Sequence, residues 1–414
     1  MAEAMPDPPQ LSWSHIPLDL AGLVLRRLPA HVDRVRFAAV CPQWRYAARQ
    51  GLPLPRPLPL LALQDGTVYS LPSAEPFRLP ACAGYTDACG GNWLFFSGEE
   101  GCFLRDPLSN ATVTLPALSR VRLQYADDEA RSLAWMDNNI DKDLDMRKVL
   151  FCSPHLIAAL VWVRHLPRIA LCKPGAASWW SVFVETQPAA LFYDIAFHQG
   201  KLYGFDHIRS DLCAIDICVD NNTDDPSISG IRRVIEGTSI IADTLVDDFV
   251  VINTVYFVES SVALLMVKRG MYGIVNTASP DEEDGTVYPN GRNEFEVFQA
   301  DFERSKWTEL ATIGLDQVLF LRSRCSRSVL VSQKEIPGNC IVFFENDDDE
   351  AFRYNTEMTS SSCSINNMKD GKMHSILFCR QCHGSVAQCL LHGSSRKTKV
   401  ETICMQFYKW ICTH

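Results

Sequence analysis

Cysteine, histidine and carboxylate clusters are where this chain would hold a metal or catalyse a reaction, and several stand out. Cys379, Cys382 and His383 have the CxxCH spacing that attaches c-type haem, and Cys389 and His392 follow closely enough to suggest zinc. Haem attachment goes with export, and the spacing of the five donors matches no zinc framework, so no cofactor and no metal is expected. Asp141, Asp143 and Asp145 open with the alternate spacing of a calcium loop, but its sixth position is Met146 and its twelfth is Cys152. Such a loop needs glycine for the turn and glutamate as bidentate ligand, so a solvated acidic connector is expected instead. The acidic runs at 281–284 and 347–350 read as exposed loops that a basic peptide could use. His155, His165, His198 and His207 stand singly in or beside strand-like runs and read as structural histidines. There is no glycine-rich phosphate loop, no HExxH and no GxSxG. No catalytic constellation is visible, and the chain is expected not to be an enzyme.

The elements that position these residues follow from composition and pattern. The chain has 414 residues, 39 Lys+Arg against 49 Asp+Glu, 47% hydrophobic and 21% charged residues. This is globular composition with an acidic balance, which speaks against nucleic-acid binding. The first ten residues, MAEAMPDPPQ, lack the apolar core of a signal peptide. The longest apolar run, Leu156–Val163, falls far short of the roughly 18 residues of a membrane helix. A cytoplasmic or nuclear protein without membrane contact is therefore expected. There the cysteines, among them Cys102, Cys152, Cys172, Cys213 and Cys218, behave as small buried hydrophobes without disulfides. Charge divides the chain: residues 11–50 carry a net +4, residues 51–378 a net −16, and residues 379–414 a net +4.

In the basic head, 11–50, Ile16, Leu20, Leu23, Val24 and Leu28 recur at three- and four-residue steps as one helical stripe. Arg26 and Arg27 suit the carbonyl-rich end of that helix, and Pro29 stops it. A second helix is expected from about Asp33, presenting Val35, Phe37, Ala39 and Val40, and a third from Pro42, which fits a first helical position. Forty residues bury little surface alone, so the stripe either packs on the body of its own chain or docks on another protein.

The order Ile16-Pro17, Asp19-Leu20, Leu28-Pro29, Asp33-Arg34, Val40-Cys41 and Trp44-Arg45 resembles the F-box motif over nearly the whole head. The resemblance implies binding to the adaptor Skp1 and, through it, attachment to a cullin-based (SCF) ubiquitin ligase. Carried over by position, it implies that Ile16, Pro17, Leu20, Leu23, Leu28, Val40 and Trp44 face the adaptor or support that face. Two positions depart from the motif: Ala21 replaces a frequent leucine and Pro42 a usual basic residue.

Prolines at 53, 55, 57 and 59 make an extended linker over 51–59. From 60 to 378 short runs rich in Val, Ile, Phe and Tyr alternate with turn signals such as Asp65-Gly66, Asn290-Gly291 and Asp370-Gly371, and read as antiparallel strands. A glycine opens several runs: Gly66-Thr-Val-Tyr, Gly200-Lys-Leu-Tyr, Gly338-Asn-Cys-Ile and Gly371-Lys-Met-His. So many strands suggest a β-propeller of about six to eight blades, with two packed β-sandwiches as the alternative. The segments FHQGKLYGFD, FEVFQADFERSKWTEL, VLFLRSRCSRSVLVS and GNCIVFFEND resemble the F-box-associated domain of plant F-box proteins, domain of unknown function 295, a kelch-like propeller. The expected organisation is a disordered 1–10, a small all-α F-box domain, the linker, a large all-β propeller and a poorly ordered tail over 379–414. The expected function is the substrate-recognition subunit of a ubiquitin ligase, the propeller holding an unidentified protein target. The alternatives are a scaffold with a silent F-box, or a propeller enzyme with a central polar site.

Overall fold

A computed structural model describes residues 13, 16–28, 30–49, 58–71, 75–89, 93–98, 101–117, 121–125, 134–135, 144–163, 166–183, 192–206, 209–220, 225–237, 244–246, 249–260, 262–276, 286–322, 325–331, 336–344, 362–377 and 408–411. The fold is mostly β, with three helices near the N-terminus. Helix α1 (Leu18–Arg26) starts directly after Pro17, with Asp19 in its first turn and Arg26 in its last, both favourable to the helix dipole. Helix α2 (His31–Val40) starts two residues before the expected Asp33, which lies in its first turn. Cys41 is extended, and α3 (Pro42–Arg49) begins on Pro42, whose missing amide hydrogen would have no partner there in any case. The three helices enclose a small core of Ala21, Leu25, Phe37 and Ala47, lined by Ile16, Leu28, Trp44 and Ala48.

Strands follow in sheet order. The first sheet holds β1 (Leu60–Leu63), β2 (Thr67–Ser70) and β3 (Glu75–Arg78). The second holds β4 (Asp87–Ala88), β5 (Leu94–Gly98), β6 (Gly101–Arg105) and β7 (Thr112–Leu115). The third holds β8 (Val121–Tyr125), β9 (Ala134–Trp135), β10 (Leu144–Ser153), β11 (Leu156–Val163), β12 (Leu166–Cys172) and β13 (Trp179–Phe183). The fourth is the meander β14 (Asp194–His198), β15 (Lys201–Asp206), β16 (Asp211–Val219) and β17 (Pro226–Ile235). The fifth begins with β18 (Thr244–Val246), β19 (Phe249–Glu259), β20 (Leu264–Asn276), β21 (Thr286–Asp301) and β22 (Lys306–Glu309). It continues with β23 (Gln317–Leu321), β24 (Arg327–Leu330), β25 (Cys340–Phe344), β26 (Ser362–Asn367) and β27 (Met373–Leu377), joined to the first half through the parallel bridge Glu259–Arg327. Finally β28 (Tyr408–Ile411) returns to the first sheet and pairs antiparallel with β1.

The packing of these strands explains their composition. Successive side chains of a strand point to opposite faces, so a strand covered on both faces is apolar throughout. In β1, Leu60 and Ala62 pack toward the second sheet, while Leu61 and Leu63 pack toward β23 and β25. In β11, Ile157, Ala159 and Val161 face the second sheet, whereas Ala158 and Leu160 face the fourth. The fourth sheet shares Phe205 and Leu212 with Phe257 and Met266 of the fifth, and within the fifth Val258 and Leu265 meet Leu319 and Ile341. Each group of strands thus packs on the next, and the last packs on the first. That circuit closes through six apolar clusters and differs from two separate sandwiches.

Turn chemistry fixes the hairpins. Gln199 and Gly200 connect β14 to β15 with positive φ at both positions (48° and 79°), the geometry whose twist suits a two-residue hairpin. At Asp65-Gly66 the Asp65 carboxylate accepts the Thr67 N–H at 2.7 Å, and Gly66 takes φ 81°. Asp370-Gly371 likewise turns between β26 and β27.

Three expectations are corrected. Asn290-Gly291 is not a turn: it lies inside β21, where the ladder slips between Met271 and Gly273 and the strand runs on through the irregularity. The strands are not all antiparallel, because β13–β8 and β23–β25 pair in parallel. Asp145 is not in a connector but in β10, opposite Trp162. Within the C-terminal segment 379–414, the backbone of Tyr408–Ile411 pairs with β1. Asp141, Asp143, His165, His207, the acidic runs at 281–284 and 347–350, and Cys379, Cys382, His383, Cys389 and His392 lie outside the described residues.

Candidate functional site

The head presents a surface that its own core leaves uncovered. On α1 the buried positions are Ala21, Gly22 and Leu25, whereas Leu20, Leu23 and Val24 are 47%, 51% and 37% exposed. The middle of the head's apolar stripe therefore faces outward, while its ends, Ile16 and Leu28, pack on the core. Val40 at the end of α2 is 58% exposed, and Leu18, Val35 and Tyr46 add further exposed apolar surface. Such a concentration in about thirty residues is unlike the scattered single hydrophobes of an ordinary surface.

The seven residues singled out by the motif divide into two sets. Leu20, Leu23 and Val40 are exposed, as is Pro17, which sets the start of α1. Ile16, Leu28 and Trp44 instead pack on the head's own core, and the Trp44 ring stacks on Phe37 with centroids 4.4 Å apart. Gln43 Nε2 donates to the Ile16 carbonyl at 2.8 Å, and Arg34 Nε to the Leu28 carbonyl at 2.7 Å, tying the segments flanking α1 to the other helices. The two departures from the motif also separate. Ala21 is fully buried, so its small side chain belongs to the core, and Pro42 is the exposed first residue of α3. Val35 was expected on the second helix, whereas Leu18 and Tyr46 were not singled out from sequence.

The same three helices and the turn after α1 carry exposed arginines: Arg26, Arg27, Arg36, Arg45 and Arg49, Arg36 pairing loosely with Asp33 at 3.4 Å. A head with exposed apolar side chains and a basic surface suits a partner with an apolar groove and acidic flanks. His31 at the start of α2 is held below its ordinary pKa by burial and, less strongly, by Arg34.

In the body, neighbouring sheets carry polar groups on β10, β14 and β19. Lys148 Nζ donates to Asp194 Oδ1 at 2.6 Å, with both side chains largely buried, and the same oxygen accepts the Ile195 N–H at 2.7 Å. Glu259 lies within electrostatic reach of Lys148 and Arg327. The Cys89 thiol donates to the Val149 carbonyl at 2.8 Å, beside a parallel bridge between the same residues. This arrangement ties sheets together. Among the described residues no group of three or more His, Cys, Asp or Glu could hold a metal, and none of the eleven described cysteines is in a disulfide. Burial pushes the thiols of Cys152 and Cys213 up to about 12 and about 11, so they stay protonated and unreactive. His155 lies at an exposed turn, and His198 is buried at the end of β14. No helix among the described residues is long and apolar enough to cross a membrane.

A circuit of radially packed sheets with a helical head defines a β-propeller protein carrying an N-terminal α-helical segment. The chain belongs to the KIB1-4 beta-propeller family, whose model matches residues 60–382. It is also similar to the F-box protein SKIP23 of Arabidopsis thaliana, with 39% identity over 70 residues, a segment that makes up 17% of each chain.

Proposed function

We propose that the protein is the substrate-recognition subunit of a cullin-based ubiquitin ligase: the head is an F-box that binds a Skp1-type adaptor, and the propeller holds a protein target. The observation that carries this reading is the outward stripe of Leu20, Leu23 and Val24, backed by an independent small core. Similarity to a protein named as an F-box protein supports it. In this reading the chain is not itself an enzyme. It raises the effective concentration of target lysines beside the conjugating machinery supplied by other subunits. The finer architecture is a kelch-like ring of the domain of unknown function 295 type; six strand groups around the circuit favour six blades, within the expected six to eight.

The silent-F-box alternative rested on Ala21 and Pro42. One fills the core and the other starts a helix, so neither removes an outward apolar side chain. The test is co-purification of the full chain with a Skp1-type adaptor. Leu20→Asp with Leu23→Asp is expected to weaken binding more than 100-fold, because charge is placed at a desolvated contact, while thermal unfolding stays unchanged. Undiminished adaptor binding by this variant would refute the proposal.

A further inference from the structure

A cleft of about 330 Å³ opens where the fourth and fifth sheets meet, between the β14–β15 turn, the β19–β20 turn and the β21–β22 turn. Its lining combines three features. His198, only 4% exposed, makes no side-chain hydrogen bond to the described residues. Thr308 Oγ1 is buried without a hydrogen-bond partner among them. An unsatisfied buried hydroxyl is costly and rare, and in a cleft it marks a place where a ligand can supply the partner. Burial holds the His198 ring below its ordinary pKa, so at neutral pH it is uncharged and keeps one nitrogen as an acceptor.

The second feature is charge. Asp301 and Glu303 line the cleft and no lysine or arginine does. Arg304 reaches Asp301 only at 3.9 Å from an exposed position, and Lys306 sits opposite Asp301 on the ladder without lining the cleft. A pair at that distance with an exposed, freely moving arginine contributes little and leaves the half-buried carboxylate available. The third feature is exposed apolar surface at the rim: Val262 is 75% exposed and Phe302 39%.

We propose that this cleft is where the propeller takes its target, and that it receives a lysine or arginine side chain of an extended protein segment. The aliphatic stem lies along Val262 and Phe302, and the cationic head donates to Asp301, Glu303 and the free acceptors of His198 and Thr308. Long basic side chains bury their stems on apolar surface in this way while the charge meets oxygen. The assignment of the occupant as a ligase target rests on the function proposed above; the chemistry of the cleft does not.

The experiment uses the full chain at pH 7.5 and fluorescein-labelled heptapeptides with a central lysine, arginine, norleucine or glutamate between flanking leucines, read by polarisation up to millimolar protein. Lysine and arginine peptides should bind at least tenfold tighter than the norleucine peptide, and the glutamate peptide weakest. Asp301→Asn with Glu303→Gln should remove that preference; asparagine still accepts the Arg304 N–H that Asp301 accepts at 2.9 Å, so the turn survives. Glu303→Lys, at an exposed position, should reverse it. Equal binding of all four peptides, or a preference unchanged in these variants, overturns the proposal. Adaptor binding is measured on the same samples. Cationic selectivity without adaptor binding upholds the cleft and removes the ligase role; adaptor binding without selectivity removes the cleft alone.

Discussion

The body and the head solve the same burial problem differently. In the body a strand sends alternate side chains into two separate clusters, as Leu60 and Leu61 do, so that neighbouring sheets cover one another's apolar faces. The head's core cluster holds only Ala21, Leu25, Phe37 and Ala47 as buried members, and Leu20, Leu23 and Val24 lie outside it. A closed ring can satisfy its own hydrophobic surface; three short helices cannot, and what they leave over is available to another protein. Substitutions of similar chemistry should therefore have opposite signatures in the two regions: stability in one, association in the other.

The largest stability effect is expected at Trp179, fully buried in the third sheet with Nε1 donating to the Pro116 carbonyl at 2.9 Å. Trp179→Ala removes the ring and orphans that carbonyl, and should cost about 3–5 kcal/mol in denaturant unfolding. Leu23→Ala on the exposed stripe should stay within about 0.5 kcal/mol of the parent. If the two costs were alike, the head stripe would be part of a folded interior after all and the contrast would fail. Slightly smaller effects are expected at the ion pair between sheets. Asp194→Ala strands Lys148 in a buried site and should cost about 3 kcal/mol. Replacing both residues together by Met and Leu should recover most of it, because a well-packed apolar pair avoids desolvating two charges. Failure of the double variant to recover would mean that Asp194 acts mainly through the Ile195 N–H.

How far the sequence discloses this depends on whether local chemistry decides the outcome. Asp65-Gly66 and Gln199-Gly200 produce their turns because the preferred φ values and the side-chain bond are local. Asn290-Gly291 carries the same signal but sits in a strand of 16 residues, where ladder bonds with β20 on both sides override it. Parallel pairing of β23 with β25, and the return of β28 to β1, are set by distant partners and leave no trace in nearby residues. At the head, helical spacing disclosed the apolar stripe but not its direction. Leu25 and Leu23 have the same hydrophobicity, and only the placement of α2 and α3 makes one a core residue and the other a contact. Of the cleft residues only His198 stood out in the sequence, as a single histidine beside a strand, since β14 and β22 come together through the fold and not through sequence.

The smallest effect concerns pH and again sets one residue in each region against the other. His31 in the head and His198 in the body both have pKa values below the ordinary 6.5, the first through burial and Arg34, the second through burial. The unfolded chain then binds a proton more readily than the folded one at either position. Each histidine thus contributes stability that is fully present above about pH 6.5 and declines as pH falls below it. Helix content should report the loss at His31, and tryptophan fluorescence of the sheets the loss at His198. His198→Gln should flatten the fluorescence-monitored change between pH 6.5 and 5 while leaving the helical one in place, and His31→Gln should do the converse. If either variant flattened both, the two regions would unfold as one unit, and the head could not be the independently built surface on which adaptor binding depends.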